Sequence, residues 1–154
     1  VTTPLIMLAL MVGPWLGRRT QAAGVLGLVL LFVFTASGHF LQSEAMAQML
    51  PPWIPAPVAL VYATGVLELA IAIALLLPDT RRAAGWMAAA VLVVFFPANI
   101  YAAMNHVPMG GHAWGPVYLL VRAPLQLAIL LWVYWFVIKR PRGAVAREGI
   151  PVSI

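Results

Sequence analysis

Residues 57–77 read PVALVYATGVLELAIAIALLL. Twenty-one residues with a single charged side chain are long enough, at 1.5 Å of rise per residue, to cross a hydrocarbon core of about 30 Å as a helix. Pro57 suits the first helical position, where its missing N–H costs nothing. The one charge, Glu68, sits about halfway along. A carboxylate placed there should not face lipid, because even the milder insertion scales put its cost at about 3 kcal/mol. The stretch therefore predicts both a membrane helix and a polar group turned toward other helices.

Three further windows share this composition: Gln21 to Phe40, Ala83 to Met104 and Pro116 to Ile138. A shorter one, Pro4 to Leu16, is too short for a full span and too apolar for a soluble loop, and is read as a fifth, tilted or incomplete helix. It lacks a preceding basic region, which argues against a cleavable signal peptide. The whole chain of 154 residues is 64% hydrophobic and 8% charged, with a mean hydropathy of +0.98. A water-soluble domain carries about a quarter of charged residues. The expected fold is all-α, an integral membrane four-helix bundle with an additional N-terminal hydrophobic helix. It divides into an N-terminal segment over 1–19, a bundle over 20–140 and a basic tail over 141–154.

The net charge of +5 would point to nucleic acid in a soluble chain. Here it follows topology, and no nucleic-acid partner is expected. Arg18 and Arg19, Arg81 and Arg82, and Lys139, Arg140, Arg142 and Arg147 all fall on one side if each hydrophobic segment crosses, and the positive-inside rule assigns that side to the cytoplasm. The opposite loops, 41–56 and 105–115, contain no Lys or Arg. The loop LQSEAMAQMLPPWIPAP over 41–57 is too apolar for a solvated connection and reads as a lid or an interfacial segment. Cysteine is absent, which excludes disulfides, thiolate metal sites and Cys-x-x-Cys exchange. The basic tail is expected to meet anionic membrane lipid.

The informative residues are the polar ones inside the spans. Thr35 and His39, Thr64 and Glu68, and Arg122 and Gln126 are each four apart and share a helical face. Tyr118 extends the last stripe, and Asn99 follows Pro97, which loosens its helix. Counted from the outer ends of their spans, Arg122 lies about 9 Å and Glu68 about 16 Å deep, within reach of an ion pair. His39, Glu68 and Arg122 are the candidate catalytic groups: a titratable mouth residue, a proton acceptor and a cation for developing negative charge. Thr35, Thr64, Asn99, Tyr118 and Gln126 are the candidate lining of a binding pocket. A structural network that fixes helix register accounts for the same residues. His39 alone could also be a helix-end hydrogen bond. His106 and His112, six apart in NHVPMGGHAWG, match no recognised ligand spacing, and no metal site is assigned. Trp132, Tyr134, Trp135 and Phe136 read as packing and interfacial anchors.

The same motifs carry a family resemblance. ASGHF at 36–40, LPPWIPAP at 50–57, YATGVLE at 62–68, PDTRR at 78–82, FPANIY at 96–101 and RAPLQ at 122–126 together resemble the DoxX-like family of small bacterial membrane proteins. The resemblance spans about residues 21–138. It implies a four-helix membrane bundle in the bacterial inner membrane, and family-type polar positions at His39, Glu68, Asn99, Arg122 and Gln126. The family's association with thiosulfate and quinone oxidoreduction implies a quinone-like ligand as possible cofactor and a redox partner protein or a homodimer. A branch that assists disulfide formation would need a thiol that this chain lacks. Three functions follow as expectations: a pocket for a quinone-like or other membrane-soluble molecule that assists redox or proton transfer, a non-enzymatic assembly or transport component, and a cofactor-free membrane isomerase or hydrolase.

Overall fold

A computed structural model describes residues 2–18 and 20–139. Its elements are α1 (Thr2–Arg18), α2 (Gln21–Leu41), a short α3 (Ser43–Ala47), α4 (Pro57–Leu76), α5 (Arg81–Met104), a 3₁₀ segment (His112–Tyr118), α6 (Leu119–Val133) and a closing π-turn (Tyr134–Ile138). The described residues form an all-α bundle with no strand. Four stretches are long and apolar enough to cross a membrane: Gln21–Leu41, Pro57–Leu76, Arg81–Met104 and His112–Ile138. This is the build of an integral membrane protein. Arg19, Arg140 and the expected tail over 141–154 lie outside the described residues.

Local chemistry explains where the helices begin and stop. Thr20 caps α2 by accepting the Ala23 N–H at 3.3 Å, which satisfies one of the helix's orphan donors. Pro57 occupies the first turn of α4. At the other end of α4, Arg81 Nε donates to the Leu75 carbonyl at 2.8 Å and its Nη2 to that of Leu76 at 3.2 Å. A cation on the last carbonyls of a helix complements its dipole, so the tight PDTRR connection ends one span and starts the next.

The helices alternate in direction, and their dry ends coincide. Leu28, Leu31 and Phe32 of α2, Leu75 of α4, and Ile129 and Val133 of α6 are almost wholly buried, as is Ala88 of α5. Trp132 Nε1 donates to the Gly24 carbonyl at 3.0 Å and Gln21 Nε2 to that of Phe136 at 3.1 Å, tying the start of α2 to the end of the chain's last span. Arg81, Arg82 and Lys139 lie at this end, and the Lys139 ammonium stands 4.2 Å from the centre of the Trp135 ring. The opposite half of the bundle holds Thr64, Glu68, Asn99, His112 and Gln126, the buried polar residues.

The N-terminal segment is a helix of 17 residues, continuous through Pro14. At 1.5 Å per residue it is about 26 Å long, short of a full hydrocarbon core. It nevertheless packs as a fifth member: Met7 and Met11 are buried, and Trp15 meets Trp132 edge-on at 5.7 Å. The approach to α2 is close because of Gly27, where a Cβ would stand 2.0 Å from the Met11 carbonyl oxygen. Because α1 runs antiparallel to α2, its first turns reach the polar half of the bundle.

Candidate functional site

Four helices contribute to the polar half. α2 and α4 lie closest together, and Gly65 permits this: a Cβ there would meet His39 Cβ at 2.7 Å. Three residues after Gly65 on the same helix comes Glu68. The close approach brings His39 Nε2 to 3.5 Å from Glu68 Oε1, with both side chains mostly buried. The other ring nitrogen, Nδ1, lies 3.1 Å from the Val61 carbonyl oxygen and 2.9 Å from Thr64 Oγ1. Thr64 spends its own hydroxyl proton on the Val61 carbonyl at 2.7 Å.

These partners narrow the proton inventory. A carbonyl only accepts, and with its proton on Val61 the Thr64 oxygen presents a lone pair, so that Nδ1 carries a hydrogen and donates to both. Neutral imidazole then has a bare lone pair at Nε2, aimed at a carboxylate oxygen. An imidazolium beside a carboxylate or an imidazole beside a neutral carboxyl avoids that clash, as does the other neutral tautomer, with Nε2 donating to the carboxylate and Nδ1 accepting from Thr64. All three hold one proton between Nε2 and Oε1. The second carboxyl oxygen, Oε2, is buried with no hydrogen-bond partner among the described residues, a costly condition in a protein interior.

Across the cavity stands Arg122. The expected ion pair with Glu68 is absent: Arg122 meets no carboxylate within 4.0 Å among the described residues. Its Nε donates to Asn99 Oδ1 at 2.9 Å, and Nη1 points to Met7 Sδ at 3.9 Å. Asn99 is held in turn by its Nδ2 donating to the Phe95 carbonyl at 3.0 Å, one turn back on α5. Arg122 and Glu68 face each other over open space because Gly65 commits Glu68 to His39 and Asn99 claims the near edge of the guanidinium.

That space is a cavity of about 170 Å³, walled by Thr35, His39, Thr64, Glu68, Asn99 and Arg122 and by apolar side chains. An apolar cavity of about 150 Å³ takes benzene, so this one is sized for a single small ring or a compact head group. Met46, Met49 and Leu50 from the 41–57 loop form part of its wall, which gives that loop the lid position read from its composition. Thr35 turns its hydroxyl proton back on the Leu31 and Phe32 carbonyls at 3.2 and 3.1 Å, leaving its oxygen as an acceptor.

Two expected lining residues are elsewhere. Gln126 is buried, but its Nε2 donates to the Leu92 carbonyl of α5; it braces α6 against the helical turn near Pro97 and does not line the cavity. Tyr118 packs edge-on against His112, with ring centres 4.8 Å apart, and lines a neighbouring chamber. The three histidines stand apart: His39 is on the cavity and His112 on the chamber, while His106 packs against Gly115. Sequence reasoning missed Met7 and Gly65. Met7 lay in a segment with no polar signal, whereas a glycine three residues from the buried Glu68 marks a close approach that could have been noticed.

Gly65→Ala is the direct test of this geometry. The added methyl forces α2 from α4 at His39, at about 1 to 3 kcal/mol for overpacking. Thermal unfolding should fall accordingly, and any ligand affinity that depends on the His39–Glu68 contact should fall with it.

Fold and cavity together define a small polytopic membrane protein with a ligand-sized polar chamber in one half of its bundle. Residues 28–137 match the family described as Domain of unknown function (DUF8561), and the chain belongs to that family. The match contains His39, Glu68, Asn99 and Arg122, and leaves out α1 with Met7. No curated protein and no solved structure matches the chain.

Proposed function

We propose that the cavity binds the head of a membrane-soluble, carbonyl-bearing ring of the quinone kind and assists its protonation. The observation that carries this reading is the pairing of a proton-holding His39–Glu68 dyad with an Arg122 guanidinium that meets no carboxylate within 4.0 Å among the described residues, across a space of one ring. Arg122 would donate to a carbonyl oxygen and stabilise the negative charge that grows there on reduction. The dyad would deliver its proton from Nε2 or Oε1 to the ring oxygen on its own side of the cavity. Reducing a quinone to a quinol takes two electrons and two protons. In this reading the electrons come from a partner redox protein, the dyad supplies the proton for the ring oxygen it faces, and water supplies the proton for the other oxygen and then reloads the dyad.

The setting is proposed to be the bacterial inner membrane, with lipid around the spans and the basic loops and C-terminus in the cytoplasm. That places the cavity in the outer half. The resemblance to DoxX-like proteins supports the quinone class, and kinship of the two families is part of the proposal. A cofactor-free isomerase or hydrolase would use the same dyad as base and Arg122 as anion stabiliser; product formed without an electron donor would favour it. A purely assembly or transport role predicts binding without turnover.

The test is titration of purified protein with duroquinone, together with quinone analysis of native extracts. Wild-type protein should bind, and Glu68→Gln, which cannot hold the shared proton, should weaken binding roughly tenfold, about 1.4 kcal/mol. Extracts without quinone and equal affinity in the variant would overturn the reading.

A further inference from the structure

A second chamber of about 270 Å³ adjoins the cavity and shares Arg122, Asn99, Thr35, Met46 and Met49 with it. Four of the chain's seven methionines, Met7, Met46, Met49 and Met109, line this chamber together with His112. The sequence around His112 is built to swing it inward. Gly110 and Gly111 take positive φ angles of 59° and 106°, and a Cβ on Gly111 would collide with the Tyr118 ring at 2.5 Å. The turn leaves the His112 residue 3% exposed.

His112 has one defined tautomer. Its Nδ1 lies 2.7 Å from the Met109 carbonyl oxygen, which can only accept, so Nδ1 carries the hydrogen and Nε2 presents a lone pair. That Nε2 is buried and has no partner among the described residues. An imidazole so oriented beside thioethers would suit a soft metal ion. The neighbouring guanidinium opposes a cation, since Arg122 Nη1 is 3.9 Å from Met7 Sδ. Among the polar groups on this chamber, His112 Nε2 is the buried acceptor with no partner among the described residues, and Arg122 is the cation. A hydroxyl suits both kinds of group, since its hydrogen can go to Nε2 and its oxygen can accept from the guanidinium. A carbonyl or an ether oxygen meets Nε2 lone pair against lone pair.

We infer that the second chamber is a hydroxyl-selective subsite, in which His112 Nε2 and Arg122 together recognise the O–H of a phenol- or quinol-type ring and reject its carbonyl or ether counterpart. The inference rests on the ring-binding reading above and deepens it: the dyad cavity faces the carbonyl form, the His112 chamber the hydroxyl form, and Arg122 serves both from their common wall. The methionines suit this role. Their unbranched, flexible chains can close over rings of different outline.

Duroquinol, its dimethyl ether and duroquinone are the probes, titrated anaerobically into full-length protein in nanodiscs. Wild-type protein should bind duroquinol roughly tenfold or more tighter than the ether, because the ether leaves the buried acceptor unpaired. His112→Phe keeps a ring against Tyr118 but removes the acceptor, and the preference should shrink to about twofold or less. Nitrogen NMR of wild-type His112 gives the same answer without a variant: the Nε2 signal should shift with duroquinol and stay in place with the ether. An unchanged preference in His112→Phe, or an Nε2 signal indifferent to duroquinol, overturns the inference. Duroquinone binding that depends on Glu68, with no hydroxyl preference in wild-type protein, overturns it and leaves the first reading intact. Failure of all three probes to bind overturns both.

Discussion

Arg122→Leu is expected to lose ligand binding while leaving the bundle as stable as the parent or more so. A charged hydrogen bond to a ligand is worth about 1.5 to 3 kcal/mol, so affinity for a carbonyl-bearing ring should drop roughly 10- to 150-fold. Stability should not follow. The guanidinium stands in the polar half of a membrane bundle with no carboxylate within 4.0 Å among the described residues, and its contacts are Asn99 Oδ1 and a long approach to Met7 Sδ. Removing it forfeits one charge-assisted hydrogen bond, about 1.5 to 3 kcal/mol, and relieves the cost of a charge held away from water, about 3 kcal/mol on the milder insertion scales. If Arg122 were a brace for helix register, its loss would act like a broken buried ion pair, at about 3 to 5 kcal/mol. Thermal unfolding and ring titration of the same variant separate the two roles.

The second large effect concerns α1. Gly27→Ala puts a methyl 2.0 Å from the Met11 carbonyl oxygen and 2.8 Å from its carbon. These are backbone atoms and cannot rotate away, so α1 must shift bodily. We expect a destabilisation of about 3 kcal/mol, at the upper end for overpacking, and faster proteolysis of the N-terminal helix. Met7, one turn before Met11, should leave Arg122 and open the second chamber. Gly13→Ala on the same helix is the control: nothing lies within 4 Å of its Cβ, and alanine's better helix propensity should make it neutral or slightly stabilising. Equal behaviour of the two variants would mean that α1 does not seat against α2 through Gly27.

Much of this was legible in the sequence because lipid makes polar residues conspicuous. The span from Pro57 gives away Glu68, and the same logic finds His39, Asn99 and Arg122, all four of which line one cavity. Their pairing was not legible. Which polar group meets which depends on the rotation and separation of helices, and here a single glycine decides it: without Gly65, Glu68 would have no special claim on His39. Gln126 shows the same limit, since sharing a face with Arg122 did not prevent its side chain from reaching across to the Leu92 carbonyl. His112 was hidden for another reason. It lies outside the apolar run, and only the positive φ angles at Gly110 and Gly111 turn it inward.

The most direct test of the central claim is a lipidic-phase crystal structure of protein purified from its native membrane without delipidation. Ligand density should fill the cavity, with an oxygen at hydrogen-bond distance from Arg122 and a second contact at the His39–Glu68 dyad. An empty or collapsed cavity, with Arg122 closed directly onto Glu68, would contradict that claim and make the polar residues a structural network.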